Sequence, residues 1–138
     1  MVLNKVKIKS FEVWDGETGE ADVIAQFANG KILKAFTLDS FESDQEIEII
    51  VSLFCKDYQI VDDEQKAIIT NTDENYKVEM SGKIVEYISD IEQGEIIVVD
   101  VGNLFINVYV SEDNVSQESV GKYFIGNGRL DIENEFIS

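Results

Sequence analysis

The strongest constraint on the fold is a β-hairpin whose strand register follows from the sequence alone. Residues 94–110 read GEIIVVDVGNLFINVYV, with the dipeptide Gly102-Asn103 between two apolar runs. A two-residue turn with glycine first is typical of a type II′ hairpin. The resulting register brings aliphatic residues together on one face: Val101 with Leu104, Val99 with Ile106, and Ile97 with Val108. Because both strands agree on which side is apolar, the register is well defined and the pair is antiparallel.

Alternation of polar and apolar residues extends this β pattern over the rest of the chain. The dipeptide Asn29-Gly30 predicts a second tight hairpin. Its register would place Phe27 opposite Ile32 and Val23 opposite Phe36. Further strands are predicted over residues 2–14, 47–54, 76–88 and 120–132, with a shorter hairpin formed by 58–61 and 66–70. The sequence therefore predicts an all-β protein.

Three segments interrupt the alternation. The polar stretches 38–46 and 111–119 are each expected to hold one helical turn, the first capped by Asp39 or Ser40. The alternation also changes parity between Ile125 and Leu130, which predicts a turn or a bulge at Gly126-Asn127-Gly128. Turn chemistry explains this glycine pair better than phosphate binding, since no helix follows it.

The second half of the chain resembles an OB-fold barrel. A long strand over residues 76–88, bent at Gly82, is followed by the hairpin, a short connector and a strand that enters at Val120-Gly121 and leaves at Gly128-Arg129-Leu130. This order is similar to the later strands of many OB-fold barrels and covers residues 76–133. A fifth strand would come from residues 129–132 or from the other half. The resemblance implies a fold and carries no function with it.

The least apolar stretch of the chain, residues 71–75, suggests a junction between two units. We therefore predict an antiparallel small barrel or sandwich built from two β subdomains that pack as one unit. The N-terminal β-hairpin subdomain covers residues 1–70, and the OB-like subdomain covers residues 76–138. Because halves of this size bury little apolar surface alone, we expect a shared interface or a homo-oligomer such as a dimer. Identities 72 residues apart, such as Gly30 with Gly102, suggest an internal repeat, with convergent β patterning as the alternative.

Charge restricts the partners that the protein would bind. The 138 residues include 28 acidic and 11 basic side chains, a net charge of −17, while 44% hydrophobic content still favours a folded domain. Binding nucleic acid or an anionic membrane needs clustered Lys or Arg, so we expect neither. A basic protein partner is the natural complement of an acidic surface. With no apparent signal peptide, no bilayer-length apolar run and one cysteine, Cys55, we expect a cytoplasmic protein.

Catalytic and cofactor motifs are missing from the sequence. There is no histidine, which excludes Ser-His-Asp and Cys-His catalysis and histidine-ligated metals. There is no glycine-rich phosphate loop, and no acidic loop has the spacing of an EF-hand calcium site. We therefore predict that the protein is not an enzyme and has no cofactor, and we assign no catalytic, cofactor-binding or metal residue. Carboxylate catalysis is the remaining alternative, although 28 acids offer no means of choosing a pair.

A few residues are nevertheless worth locating in the structure. Asp100 interrupts an apolar strand, and its carboxylate is expected to accept hydrogen bonds from turn amides or Asn107. Trp14 is either a contact anchor or, as we favour, a core residue, and one of the neighbours Tyr123 and Phe124 should face away from the core. The predicted function is a non-catalytic acidic binding module for a protein partner. An OB-like binder of oligosaccharide or single-stranded nucleic acid is the alternative.

Overall fold

The computed structural model describes residues 2–72, 76–90, 94–110 and 115–134. These residues form a single sheet of nine strands and one 3-10 helix, Gln117–Ser119. The strands are β1 (Leu3–Val13), β2 (Ala21–Phe27), β3 (Ile32–Thr37), β4 (Glu46–Val61), β5 (Ile68–Asn71), β6 (Lys77–Asp90), β7 (Gly94–Asp100), β8 (Phe105–Val110) and β9 (Tyr123–Asn134). The predicted all-β barrel is confirmed, although the sheet is mixed because two of its pairings are parallel.

The sheet closes on itself twice. Ring A follows the order β1-β2-β3-β9-β4 and returns from β4 to β1. Ring B follows the order β6-β7-β8-β4-β9 and returns from β9 to β6. The long strands β4 and β9 pair antiparallel with each other and belong to both rings. Strand β5 covers the outer edge of β6.

The two rings have the same strand arrangement and share local irregularities. β1 has a register shift between Ile8 and Ser10 against β2, and β6 has the equivalent shift between Ile84 and Glu86 against β7. The parallel pairs are equivalent too: Phe36 with Asp131 in ring A and Tyr109 with Phe54 in ring B. Ile8 and Ile84 are 76 residues apart, but Phe36 and Tyr109 are 73 apart. Equivalent positions are thus not offset by the 72 residues noted in the sequence, because the strands and loops of the two halves differ in length, and the internal repeat itself stays a prediction.

One continuous apolar core fills both rings. It includes Ile8 and Leu33 from ring A, Ile84 and Ile106 from ring B, and Leu53 from the shared strand β4, all of them fully buried or nearly so. Leu53 lies opposite Leu130, which is also buried, in the β4–β9 pair. β2 and β3 alternate their side chains between this core and the outer surface, as the period of a β-strand allows, whereas β7 buries the four consecutive residues Ile96 to Val99.

The register predicted for the first hairpin is confirmed, and that of the second is wrong. β7 and β8 pair Val99 with Ile106 and Ile97 with Val108, as expected. The turn itself has positive φ at both Gly102 and Asn103, as a type I′ turn requires, so the predicted type II′ is wrong.

In the second hairpin β2 and β3 pair Gln26 with Ile32, one residue away from the predicted Phe27–Ile32 pair. The Phe27 amide donates to the Lys31 carbonyl, leaving a three-residue loop in which Gly30 alone has positive φ. This is the geometry of a turn followed by a glycine bulge, which the dipeptide Asn-Gly also permits.

Other local predictions fail because tertiary pairing outweighs local signals. Residues 58–61 continue β4 and pair with β9, and β5 pairs with β6, so the predicted short hairpin does not form. Gly126 and Gly128 lie inside β9, and the bulge is in β4, between Phe54 and Asp57. The helical turn predicted in residues 38–46 does not form. The turn predicted in residues 111–119 is present as the 3-10 helix Gln117–Ser119, capped by Ser116, and residues 111–114 of that stretch lie outside the described residues.

The predicted division into subdomains 1–70 and 76–138 stays a prediction, as does the OB-like character of the second. The structure adds that residues 76–134 do not close ring B by themselves, because β4 supplies the fifth strand beside β8. Of the two sources that the sequence suggested for a fifth strand, residues 129–132 or the other half of the chain, the structure thus has the other half. None of the described residues forms a helix long and apolar enough to cross a membrane.

Candidate functional site

A line of aromatic side chains and one arginine runs over the outer surface across four strands. We call it the aromatic row; its members are Trp14, Tyr76, Phe36, Arg129, Phe54 and Tyr109, in spatial order. Phe36 comes from β3, Arg129 from β9, Phe54 from β4 and Tyr109 from β8. These strands are consecutive neighbours in the sheet, which brings residues far apart in the sequence to one surface.

Arg129, the only arginine of the chain, occupies the centre of the row. Its Cζ lies 4.9 Å from the ring centroid of Phe36 and 5.3 Å from that of Phe54. Its Nε and Nη2 donate to the two carboxylate oxygens of Asp131, over 2.7 and 2.8 Å. The guanidinium is therefore held by a bidentate ion pair and by two rings, the combination that a planar arginine head suits best. Phe54 in turn stacks on Tyr109, with centroids 4.7 Å apart and planes 4° apart.

Tyr76 forms the other part of the row, next to Trp14. Its ring packs edge-on against Phe36, and its hydroxyl donates to the Asp22 carboxylate. Burial, followed by this hydrogen bond, raises the pKa of Tyr76 to about 12, while a hydrogen bond from Trp14 acts in the opposite direction. Lys34 pairs with Asp22 at 3.3 Å and lies over the Tyr76 ring. Lys34 and Arg129 are thus each already paired with a carboxylate of the chain.

Carboxylates without a cation lie beside the row, where β3 and β9 meet. In the described residues the only backbone pairing between these strands is Phe36 with Asp131, and a cavity of about 220 Å³ opens next to it, lined by Leu38, Asp39 and Glu133 among others. Burial raises the pKa of the Glu133 carboxyl, and the nearby charges of Asp39 and Asp131 raise it further. Burial likewise raises the pKa of Asp131, against the opposing effect of Arg129. No basic side chain of the described residues forms an ion pair with Glu133.

Three large apolar side chains are exposed on this surface. Trp14 is 52% exposed, Leu38 61% and Phe54 41%. Leu38 is the first residue after β3, which ends at Thr37, and it lines the cavity. We call the aromatic row together with Leu38, Asp39, Asp131 and Glu133 the contact face. It combines exposed apolar groups with two carboxylates, Asp39 and Glu133, for which the described residues supply no ion pair.

The residues singled out from the sequence lie in different places. Asp100 accepts hydrogen bonds from the Gly102 and Asn103 amides, both at 2.9 Å, as expected. Trp14 is exposed, so the prediction that it belongs to the core is wrong; the loop that follows β1 carries it outward. Phe124 is fully buried and its neighbour Tyr123 is partly exposed, as expected. Cys55 is half-buried, and burial together with the Asp57 carboxylate raises its pKa to about 11.

Sequence reasoning missed the centre of the contact face. Phe36, Phe54 and Arg129 were not recognised as neighbours because they come from three strands separated by tens of residues. A local signal existed at Phe54, which falls on the polar side of the alternation in β4. An aromatic residue on the polar face of a strand indicates either a second packing layer or a contact surface.

The carboxylates of the contact face are not gathered into a metal-binding cluster within the described residues. In the part of the chain that the structure describes, no three His, Cys, Asp or Glu side chains are arranged to hold a metal ion. The ring faces within the row are largely used by each other and by Arg129, which leaves little room for bases to stack between them. Comparison of the chain with protein-family models, with curated proteins and with solved structures found no match.

Proposed function

We propose that the protein is a non-catalytic binding module that engages a basic protein partner through the contact face. One observation carries this proposal: the exposed apolar side chains Trp14, Leu38 and Phe54 lie on the same surface as carboxylates that have no ion pair. These carboxylates belong to Asp39 and Glu133. A buried apolar anchor with charged residues around it is the common arrangement of a protein interface. We place the protein in the cytoplasm, in keeping with its single cysteine.

Electrostatics supports a cationic partner in particular. The net charge of −17 would steer positively charged molecules toward the protein. At the contact face, Glu133 has a raised pKa because it is partly buried near Asp39 and Asp131. A lysine or arginine side chain placed there would relieve this repulsion. Lys34 and Arg129 do not already do so, since each pairs with another carboxylate.

A titration with a defined cationic probe tests the proposal. A labelled, unstructured peptide of lysine and serine would be titrated with the protein and followed by fluorescence anisotropy at low and high salt. The test variant is Asp39→Asn with Glu133→Gln, and the matched control is Asp63→Asn with Glu64→Gln, which removes the same charge from an exposed loop. We expect the test variant to weaken binding about fivefold and the control less than about twofold, because two partly exposed ion pairs of about 0.5 kcal/mol each would be lost.

The outcomes separate a specific face from general charge attraction. Equal losses in the two variants would contradict the assignment of the contact face. No salt-sensitive binding by the unaltered protein would contradict the basic partner itself. The natural partner can then be sought by placing a photoactivatable cross-linking residue at Leu38, with exposed Val85, which lines no part of the contact face, as the control position.

A further inference from the structure

Each half of the chain completes the ring of the other half. Ring A takes four strands from residues 3–61 and a fifth, β9, from residues 123–134. Ring B takes four strands from residues 77–134 and a fifth, β4, from residues 46–61. The exchange is reciprocal, since β9 lies parallel to β3 in one ring and β4 lies parallel to β8 in the other.

The β4–β9 pair that joins the halves is long and lies over the centre of the core. It runs from Ile49–Asn134 to Val61–Tyr123 and includes the buried pair Leu53–Leu130. Side-chain hydrogen bonds also cross between the halves, and those of Asn107 and Asn71 are two of them. Asn107 of β8 exchanges hydrogen bonds with the backbone of Val2, and Asn71 of β5 does the same with the backbone of Lys34.

The contact face is also shared between the halves. Arg129 from the second half is held between Phe36 and Phe54 of the first, and the hydroxyl of Tyr76 from the second half donates a hydrogen bond to the Asp22 carboxylate of the first. Neither half contains the aromatic row by itself. The segment that links the halves, 62–67, is by contrast short and mostly exposed.

We propose that the chain is built as an interlocked pair of half-chains, each of which folds only by binding the other, and that the covalent link at residues 62–67 is dispensable. The partner that the β4–β9 surface of either half fits is thus the other half of this chain. This differs from two self-contained subdomains, in which each half would bury its own core. It is independent of the proposed function, because no external ligand is involved.

Cutting the link in the 138-residue chain tests this proposal. A protease site would be inserted between Asp63 and Glu64, and the cut protein would be compared with the same protein left uncut. After unfolding in urea and dilution, refolding would be followed by the fluorescence of Trp14, the only tryptophan, which contacts Tyr76 across the halves. We expect a tenfold dilution of the cut protein to lengthen the refolding half-time about tenfold, as in a bimolecular reaction, and to leave the uncut protein unchanged.

Aggregation during refolding would obscure the kinetic test, so an equilibrium measurement of the urea midpoint is added. The urea midpoint of the native cut protein should rise with protein concentration, and that of the uncut protein should not. Light scattering should give one species with the combined mass of the two pieces. Concentration-independent refolding and midpoints, or pieces that elute folded and separately or as copies of themselves, would overturn the proposal.

Discussion

The side chain of Asn107 fastens the beginning of β1 to β8, and its replacement by leucine gives the most direct test of this description. Asn107 is fully buried. Its Oδ1 accepts from the Val2 amide at 3.1 Å, and its Nδ2 donates to the carbonyls of Val2 and Val51, at 3.1 and 3.0 Å. Leucine has a similar size but makes none of these bonds.

The expected loss follows from the number of bonds. A hydrogen bond contributes about 1 kcal/mol net, and a buried backbone group left unpaired costs at least as much. We therefore expect Asn107→Leu to lower the free energy of unfolding by about 3 kcal/mol, a large fraction of the stability of a small domain. The matched change Asn71→Leu removes two bonds, to the amide and carbonyl of Lys34, at a less buried position. Its expected loss is about 2 kcal/mol or less.

Urea unfolding monitored by Trp14 fluorescence and far-UV circular dichroism would measure both losses, with unchanged m-values as the condition for comparison.

Asn107→Asp provides a second check at the same site. Burial would raise the pKa of the new carboxyl above its unfolded value, so its ionisation would destabilise the fold at pH 7 and not at pH 4. Relative to the unaltered protein, this variant should gain stability as the pH falls. A loss below about 1 kcal/mol for Asn107→Leu, or one no larger than that for Asn71→Leu, would show that these three hydrogen bonds do not stabilise the fold.

Three further predictions concern single side chains. Arg129→Lys keeps the charge but loses the bidentate pair with Asp131 and the flat contact with two rings, so urea unfolding should show a loss of about 1 kcal/mol. Burial raises the pKa of Cys55 to about 11, so in the folded protein its alkylation at pH 8 should be slower than that of a small free thiol. Unfolding in urea should accelerate the reaction, and equal rates in the folded and unfolded protein would contradict the burial of Cys55. Because the pKa of Glu133 is raised in the folded state, its ionisation disfavours folding at neutral pH, and Glu133→Gln should raise the urea midpoint at pH 7 but leave it unchanged at pH 3.

The fold class followed from local patterns because β-strands repeat every two residues. The alternation in residues 94–110 defined both strands, their faces and their register, and the structure has the same pairs from Val99–Ile106 to Ile97–Val108. The dipeptide Asn29-Gly30 located a turn but did not distinguish a two-residue from a three-residue loop, which shifted the register of β2 and β3 by one. Such a choice depends on the twist and packing of the flanking strands.

The candidate site depended on long-range pairing, which no local pattern contains. The apolar alternation predicted that 47–54 is a strand, but not that β4 continues to Val61 or that it lies between β9 and β8. Gly126 and Gly128 resembled a turn, yet they are needed inside β9. A Cβ at Gly128 would lie 2.3 Å from the Phe54 carbonyl oxygen, so close approach to β4 excludes a side chain there.

Composition and periodicity were enough to predict strands around an apolar core and an acidic surface, since both properties are sums over local residues. The exchange of β4 and β9 between two rings, and the contact of Arg129 with Phe36 and Phe54, could be seen only in the folded chain. Strand pairing satisfies backbone hydrogen bonds that are identical for every residue, so the choice of partner strand depends on which arrangement buries the apolar faces of both halves together.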